Sequence, residues 1–243
     1  MWTVGEVVAL HDETPTARSL TLKVAEWPGH IAGQHVDVRL TAPDGYSAVR
    51  SYSIASAPNT EGQIEITVDR LPNGEVSPYL TQQVAVGDPL EIRGPIGGWF
   101  IWRTSQTEPV QLIAGGSGIV PLMAMIRSHE EAKSRVPFRL LYSAREPGAV
   151  FYRQELTMLA DAKKSVDVRY AFTRVAPKGW PGTPRRIDGA LVAEATWPAA
   201  DMATFYVCGP TSFVESLASY LRINGNSPDR IKTERFGETG SSQ

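Results

Sequence analysis

The chain has 243 residues, 42% hydrophobic and 21% charged, with enough apolar content to bury the core of one large domain or two of ordinary size. Its 24 Lys and Arg against 26 Asp and Glu leave a net charge of −2, which excludes a general electrostatic grip on nucleic acid or anionic lipid. The single cysteine, Cys208, excludes internal disulfides, paired-cysteine zinc sites and a four-cysteine iron–sulfur cluster carried by this chain alone. His11, His30, His35 and His129 show no metal-site spacing, so no built-in metal is expected. No apolar run reaches the roughly 18 residues of a membrane span, and the acids in the opening MWTVGEVVALHDE do not suit a secretory leader. The expected location is the cytoplasm, with no membrane or nucleic-acid partner.

In chain order, Val4–His11, Arg18–Val24, Gln34–Leu40, Arg50–Ala55, Ile64–Asp69 and Pro89–Arg93 are rich in Val, Ile and Leu and partly alternate, the pattern of half-buried strands. Turn signals such as Trp27-Pro28-Gly29, Pro43-Asp44-Gly45, Pro72-Asn73-Gly74 and Gly87-Asp88-Pro89 separate them. Strands at this spacing predict a small antiparallel β-barrel or sandwich. One helix interrupts at Ser77–Val84, with Ser77 placed to cap it and Pro78 at its first position.

Arg103–Pro109 is polar, has no apolar period and reads as a linker, so the boundary is expected between residues 1–104 and 105–243. Beyond it the grammar changes. Strands at Val110–Ala114, Phe138–Ser143, Val166–Thr173, Thr204–Val207 and Ile231–Glu234 alternate with helices at Ile119–Arg127, Phe151–Asp161 and Thr211–Leu221. That alternation predicts an α/β domain with a doubly wound parallel sheet. Val175–Gly189 reads as a long loop rich in Pro, Gly and basic residues, and the tail Glu238–Gln243 as a mobile end.

Four short motifs offer chemistry. Gly115-Gly116-Ser117-Gly118 follows a strand and opens a helix, as a dinucleotide-phosphate loop must, although Pro121 stands where a third glycine would; a tight turn without ligand is the alternative. Arg50-Ser51-Tyr52-Ser53 brings a phosphate-binding cation, a flat ring and a hydroxyl onto one strand, or simply an exposed polar face. Gly74-Glu75-Val76-Ser77 leads into the capped helix, whose start suits an anion or no more than a cap. Cys208-Gly209-Pro210 ends a strand where α/β domains bind ligands; the thiol is equally a packed small hydrophobe, and nothing marks it as a nucleophile.

In this order, these pieces resemble the ferredoxin–NADP(+) reductase superfamily over nearly the whole chain. Gly33-Gln34 is similar to its GQ strand entry, Arg50–Ser53 to its RxYS motif and Gly74–Ser77 to its GxxS motif. Gly94-Pro95-Ile96-Gly97-Gly98-Trp99-Phe100, Gly115–Pro121 and Cys208–Pro210 are similar to GPxGxF, GGxGxxP and CGP. The resemblance implies an FAD-binding barrel and an NAD(P)-binding α/β domain. Arg50, Gly74, Val76 and Ser77 then hold flavin phosphates, Tyr52 lies against the isoalloxazine, and Ser53 hydrogen-bonds near flavin N5. Gly116, Ser117 and Gly118 cradle the dinucleotide, while Cys208, Gly209 and Pro210 face the nicotinamide. Ile231–Gly237 resembles the final strand of bacterial members, with Glu234 in a polar network and Phe236 shielding the ring; the alternative is a frayed edge strand with Phe236 packed in the core. Ser53, Cys208 and Glu234 are the residues the resemblance puts at the reacting centre.

The GxxS motif favours FAD over FMN, although Glu75 and Pro78 depart from it, and an acid suits a phosphate site only if it points away. Thr173-Arg174 after the third strand of the second half looks like the NADP arrangement, with Arg185 and Arg186 adding charge and NAD the alternative; these arginines otherwise solvate a loop. The implied activity is hydride transfer from NADPH to flavin N5 and onward passage of electrons to a separate carrier protein, such as a ferredoxin or another iron–sulfur protein. The alternatives are an NAD(P)H:flavin or small-acceptor reductase, a flavin-binding redox subunit of a larger complex, or a nucleotide sensor without flavin.

Overall fold

The computed structural model describes residues 1–59, 61–161 and 166–236, and the chain divides into two compact units. The first comprises Met1–Arg103 together with Met123–Ala132; the second comprises residues 104–122 and the described residues from 133 onward. The expected mobile tail Glu238–Gln243 lies outside the described residues.

Six strands build the first unit: β1 (Thr3–Thr14), β2 (Ala17–Val24), β3 (His35–Thr41), β4 (Ser47–Ser53), β5 (Gln63–Asp69) and β6 (Pro89–Ile96). All pairings are antiparallel in the order β4-β3-β6-β1-β2-β5, and an Ile54–Ile66 bridge joins the two ends of the sheet as a barrel. Alternation explains the core. Leu20, Leu22 and Val24, Val36 and Val38, and Ile64, Ile66 and Val68 point inward and are buried. Each such side chain contributes about 1.5–3 kcal/mol by leaving water. Helix α1 (Ser77–Gln82) adds Leu80 to the same cluster, flanked by Val76 and Val84.

Strand β4 carries the RxYS residues, and its neighbours hold it firmly. Asp37 on β3 is buried and accepts hydrogen bonds from Ser51 of β4 at 2.6 Å and Arg93 of β6 at 2.6 Å. Burial alone would push this carboxyl up, but the Ser51 hydroxyl and the Arg93 guanidinium hold it below the usual range. The segment Met123–Ala132 also belongs to this unit: Arg127 donates to the Ala55 carbonyl at 3.0 Å and pairs with Glu65 at 2.7 Å.

The second unit has five parallel strands, β7 (Val110–Gly115), β8 (Phe138–Ala144), β9 (Val166–Phe172), β10 (Thr204–Pro210) and β11 (Ile231–Phe236), in the order β11-β10-β7-β8-β9. Chain order runs outward both ways from β7, so the switch point lies between β7 and β10, where open α/β sheets bind ligands. Helix α2 (Ile119–Glu131) follows β7, and α3 (Arg153–Asp161) packs on β9. Ile113, Leu141, Phe205 and Val207 form a core with Val192 of α4 (Gly189–Ala195) and Val214, Leu217 and Leu221 of α5 (Thr211–Ile223).

Several boundaries differ from the sequence reading. Strand β4 runs Ser47–Ser53 rather than Arg50–Ala55, because Thr41–Ser47 through His35–Ser53 pair continuously across the hairpin. Strand β1 extends past His11 to Thr14 through a register shift against β2 between Asp12 and Thr14. Helix α4 begins at the end of the segment expected to be loop, capped by Asp188, which accepts the Leu191 N–H at 2.9 Å.

Candidate functional site

In the barrel unit, Arg50, Tyr52 and Ser53 stand on β4 in three different settings. Arg50 is exposed, and its guanidinium donates to the Val49 carbonyl at 2.8 Å and to Glu75 at 2.6 Å. Tyr52 is half-buried against the barrel core, which pushes its phenol up and keeps it neutral. Ser53 is 4% exposed, and its hydroxyl has no hydrogen-bond partner. An orphaned buried hydroxyl is costly, on the order of 1–3 kcal/mol, and its retention points to a partner outside the chain.

The loop before α1 corrects two expectations. Ser77 does not cap the helix: Val76 occupies the cap position, and the Ser77 hydroxyl instead accepts the Leu71 N–H at 3.0 Å. Its own proton is left to donate. Val76 is buried in the barrel core, so only its peptide group can face a ligand. Gly74 is needed because a side chain there would press against Ser77 Oγ and the Leu71 carbonyl. Glu75, expected to fit only by pointing away, points at Arg50, and Tyr46 donates to its other oxygen at 2.7 Å. The Tyr46 hydroxyl, then the Arg50 guanidinium, hold the Glu75 carboxyl below the usual range. Tyr46 carried no signal in the sequence, being 29 residues from Glu75.

In the second unit, the glycine turn and the Cys208 turn meet at the switch point. A 3-10 turn at Gly116–Gly118 joins β7 to α2, with Gly116 at φ +56°. A Cβ on Gly118 would collide with the Cys208 carbonyl, so the backbones of these turns touch. Ser117 is half-buried beside them. Cys208 is buried, and burial, then the Glu234 charge, push its thiol up, which keeps it protonated and unreactive. Gly209 and Pro210 complete β10 and lead into α5.

Glu234 is the register partner of Cys208 on β11, and Phe236 that of Pro210. Burial pushes the Glu234 carboxyl up to about 7, and its Oε2 has no hydrogen-bond partner. Phe236 is half-buried. Thr173 and Arg174 turn back after β9 through bonds to the carbonyls of Ala144 and Arg145, at 3.0 and 2.9 Å. Arg174 is exposed, Arg185 is paired with Asp188, and Arg186 is exposed. Among the described residues, no cluster of His, Cys, Asp or Glu could hold a metal ion, and no helix is long and apolar enough to cross a membrane.

Residues 10–101 match the model of the oxidoreductase FAD-binding domain, and residues 112–219 that of the oxidoreductase NAD-binding domain. The chain belongs to the ferredoxin–NADP reductase-like flavoprotein oxidoreductases. Among its relatives, it is 30% identical over 209 residues to the glycine betaine monooxygenase reductase subunit of Chromohalobacter salexigens, covering 85% of this chain and 56% of that protein. It is 28% identical over 236 residues to the propane 2-monooxygenase reductase component of Mycolicibacterium goodii, covering 95% and 66%. The chain therefore spans between about half and two thirds of the length of these curated relatives. The flavohem-like FAD/NAD-binding domain of nitric oxide dioxygenase from Vibrio cholerae has the same fold, with a TM-score of 0.85 at 24% identity, covering 97% of this chain and 98% of that one.

The residues present suit the family's cofactors. The orphaned Ser53 hydroxyl fits a flavin ring edge, the Ser77 proton and the Arg50 charge fit flavin phosphates, and the bare backbone of Gly116–Gly118 fits a dinucleotide.

Proposed function

We propose that the chain is an FAD-dependent reductase that takes electrons from NADPH and delivers them to a separate protein, an iron–sulfur carrier such as a ferredoxin or an oxygenase. The observation that carries this reading is the unpartnered, buried Ser53 hydroxyl at the end of the RxYS strand, a hydrogen-bonding group kept in reserve where the family holds its flavin. Bound FAD would supply the redox chemistry, that of a group able to take hydride from NADPH and give up single electrons. Arg50 and Ser77, with the peptides of Gly74 and Val76, neutralise and hydrogen-bond the flavin phosphates. Tyr52 offers its neutral ring as a wall for the flavin, and Ser53 its hydroxyl to the ring edge near N5. Gly116, Ser117 and Gly118 hold the dinucleotide, Gly209 and Pro210 shape the turn beside it, and the uncharged Cys208 thiol gives the nicotinamide a neutral neighbour. Glu234, whose carboxyl burial pushes up to about 7, stands beside Cys208 in register on β11. Thr173 and Arg174 receive the 2′-phosphate of NADPH.

The names of the relatives support delivery to a partner, since two of them are reductase components of monooxygenases. The greater length of those relatives favours a second reading, in which the chain is the redox module of a larger oxidoreductase. Spectra of the purified yellow protein test both. Bleaching by NADPH faster than by NADH, followed by reduction of a ferredoxin, is the expected result. No bleaching without added subunits favours the module. A colourless protein that refuses FAD overturns the proposal.

A further inference from the structure

The carboxylate of Glu75 stands where nothing in a phosphate site calls for an acid. Its Oε2 accepts from Arg50 Nη2 at 2.6 Å, and its Oε1 accepts from the Tyr46 hydroxyl at 2.7 Å. Arg50 Nη1 meanwhile donates to the Val49 carbonyl at 2.8 Å. Each terminal nitrogen of the guanidinium therefore already has one acceptor, and one of the two is a carboxylate. The pair is also open to solvent, with about half of each side chain exposed. Exposed pairs are weak and easily exchanged, whereas phosphate binds a guanidinium through paired charge-assisted bonds. A phosphate reaching Arg50 must break the Glu75 contact or sit against a like charge.

Resting on the reading of Arg50 as a flavin-phosphate ligand, we propose that Glu75 is an internal competitor of the FAD pyrophosphate. It occupies Arg50 in the flavin-free protein, yields when FAD binds, and so limits the affinity for FAD. Tyr46 supports the competing state by fixing the carboxylate from its other side. The competitor has a use in a protein that must exchange or load its flavin: it keeps the guanidinium aimed and hydrogen-bonded while no phosphate is present.

The test is titration of the flavin-free protein with FAD, followed by quenching of flavin fluorescence, for wild type, Glu75→Gln, Arg50→Ala and the double variant. Glu75→Gln is expected to tighten FAD binding by about three- to tenfold, the combined scale of an exposed ion pair and one nearby like charge. Tyr46→Phe should tighten it by a smaller factor, and Glu75→Gln should gain less when Arg50 is already alanine. Unchanged or weaker binding by Glu75→Gln, with Arg50→Ala still impaired, overturns the competitor and makes Glu75 an orienting partner of Arg50. Undiminished binding by Arg50→Ala, or no FAD binding by wild type, overturns the underlying phosphate assignment and the competitor with it.

Discussion

In the barrel, the candidate ligands are side chains on one strand and one loop: the Arg50 guanidinium, the Tyr52 ring and the hydroxyls of Ser53 and Ser77. In the parallel sheet, the candidate surface is mainly backbone, where Gly116–Gly118 runs against the Cys208 carbonyl at the switch point. The first kind of site is weakened by removing atoms and can be tuned in steps, as the Glu75 contact with Arg50 illustrates. The second kind has almost nothing to remove. It breaks when atoms are added.

The largest effect should therefore come from the smallest addition. Gly118→Ala places a methyl group against the Cys208 carbonyl, and the turns must part. Overpacking of this sort costs about 1–3 kcal/mol of stability. A shift of about 1 Å in a dinucleotide turn should cut NADPH-dependent flavin reduction on the order of 100-fold. Stopped-flow rates near wild type would show that the turns do not need this contact. Next is Arg50→Ala, which should weaken FAD binding by about 10- to 100-fold, the worth of hydrogen bonds from a charged group. Arg174→Ala should raise the KM for NADPH about tenfold through loss of charge-assisted bonds, while barely moving that for NADH. Equal changes for both would remove the 2′-phosphate assignment.

Ser53→Ala sharpens the contrast because it should spare the protein without FAD and impair the protein with it. The orphaned hydroxyl makes no hydrogen bond within the chain, so melting without FAD should be unchanged or slightly higher. With FAD bound, flavin reduction should slow by about two- to tenfold while the cofactor is retained. A lower melting point without FAD would mean that the hydroxyl serves the fold.

The smallest effect concerns pH. Burial raises the Glu234 carboxyl from 4.5 to about 7, so between these values the folded chain binds more protons than the unfolded one. Its contribution is fully present below pH 4.5 and is lost as pH rises through about 7. Glu234→Gln, always neutral, should flatten the fall in melting temperature across that window. An identical pH profile would place Glu234 in a wetter setting.

Much of this was legible in the sequence because it rests on local pattern. Ile64, Ile66 and Val68 announce a strand by alternation, and Gly115–Gly118 announces its turn by following VQLIA. Helix α4 was missed because its cap, Asp188, follows a Pro-, Gly- and Arg-rich stretch, and the helix itself is only seven residues long with Glu194 interrupting its apolar run. Ser77 misled for a related reason: Ser-Pro before an apolar run is a cap signature, yet the Leu71 N–H claims the hydroxyl. The Tyr46–Glu75–Arg50 contacts join parts of the chain 25 and 29 residues apart, and no spacing rule reaches that far. The sequence marked Glu75 as out of place but held nothing that named its partner.

The segment Met123–Ala132 has a consequence for anyone dissecting this protein. The barrel unit draws on a piece of chain that is encoded after the start of the second half, and Arg127 from that piece bonds the Ala55 carbonyl and Glu65. A fragment cut after Arg103 would leave those acceptors bare and the wall beside Gly33 without Met125. Chimeras that graft a foreign nucleotide half onto this barrel must import residues 123–132 with the recipient, so the two halves are less interchangeable than their separate folds suggest.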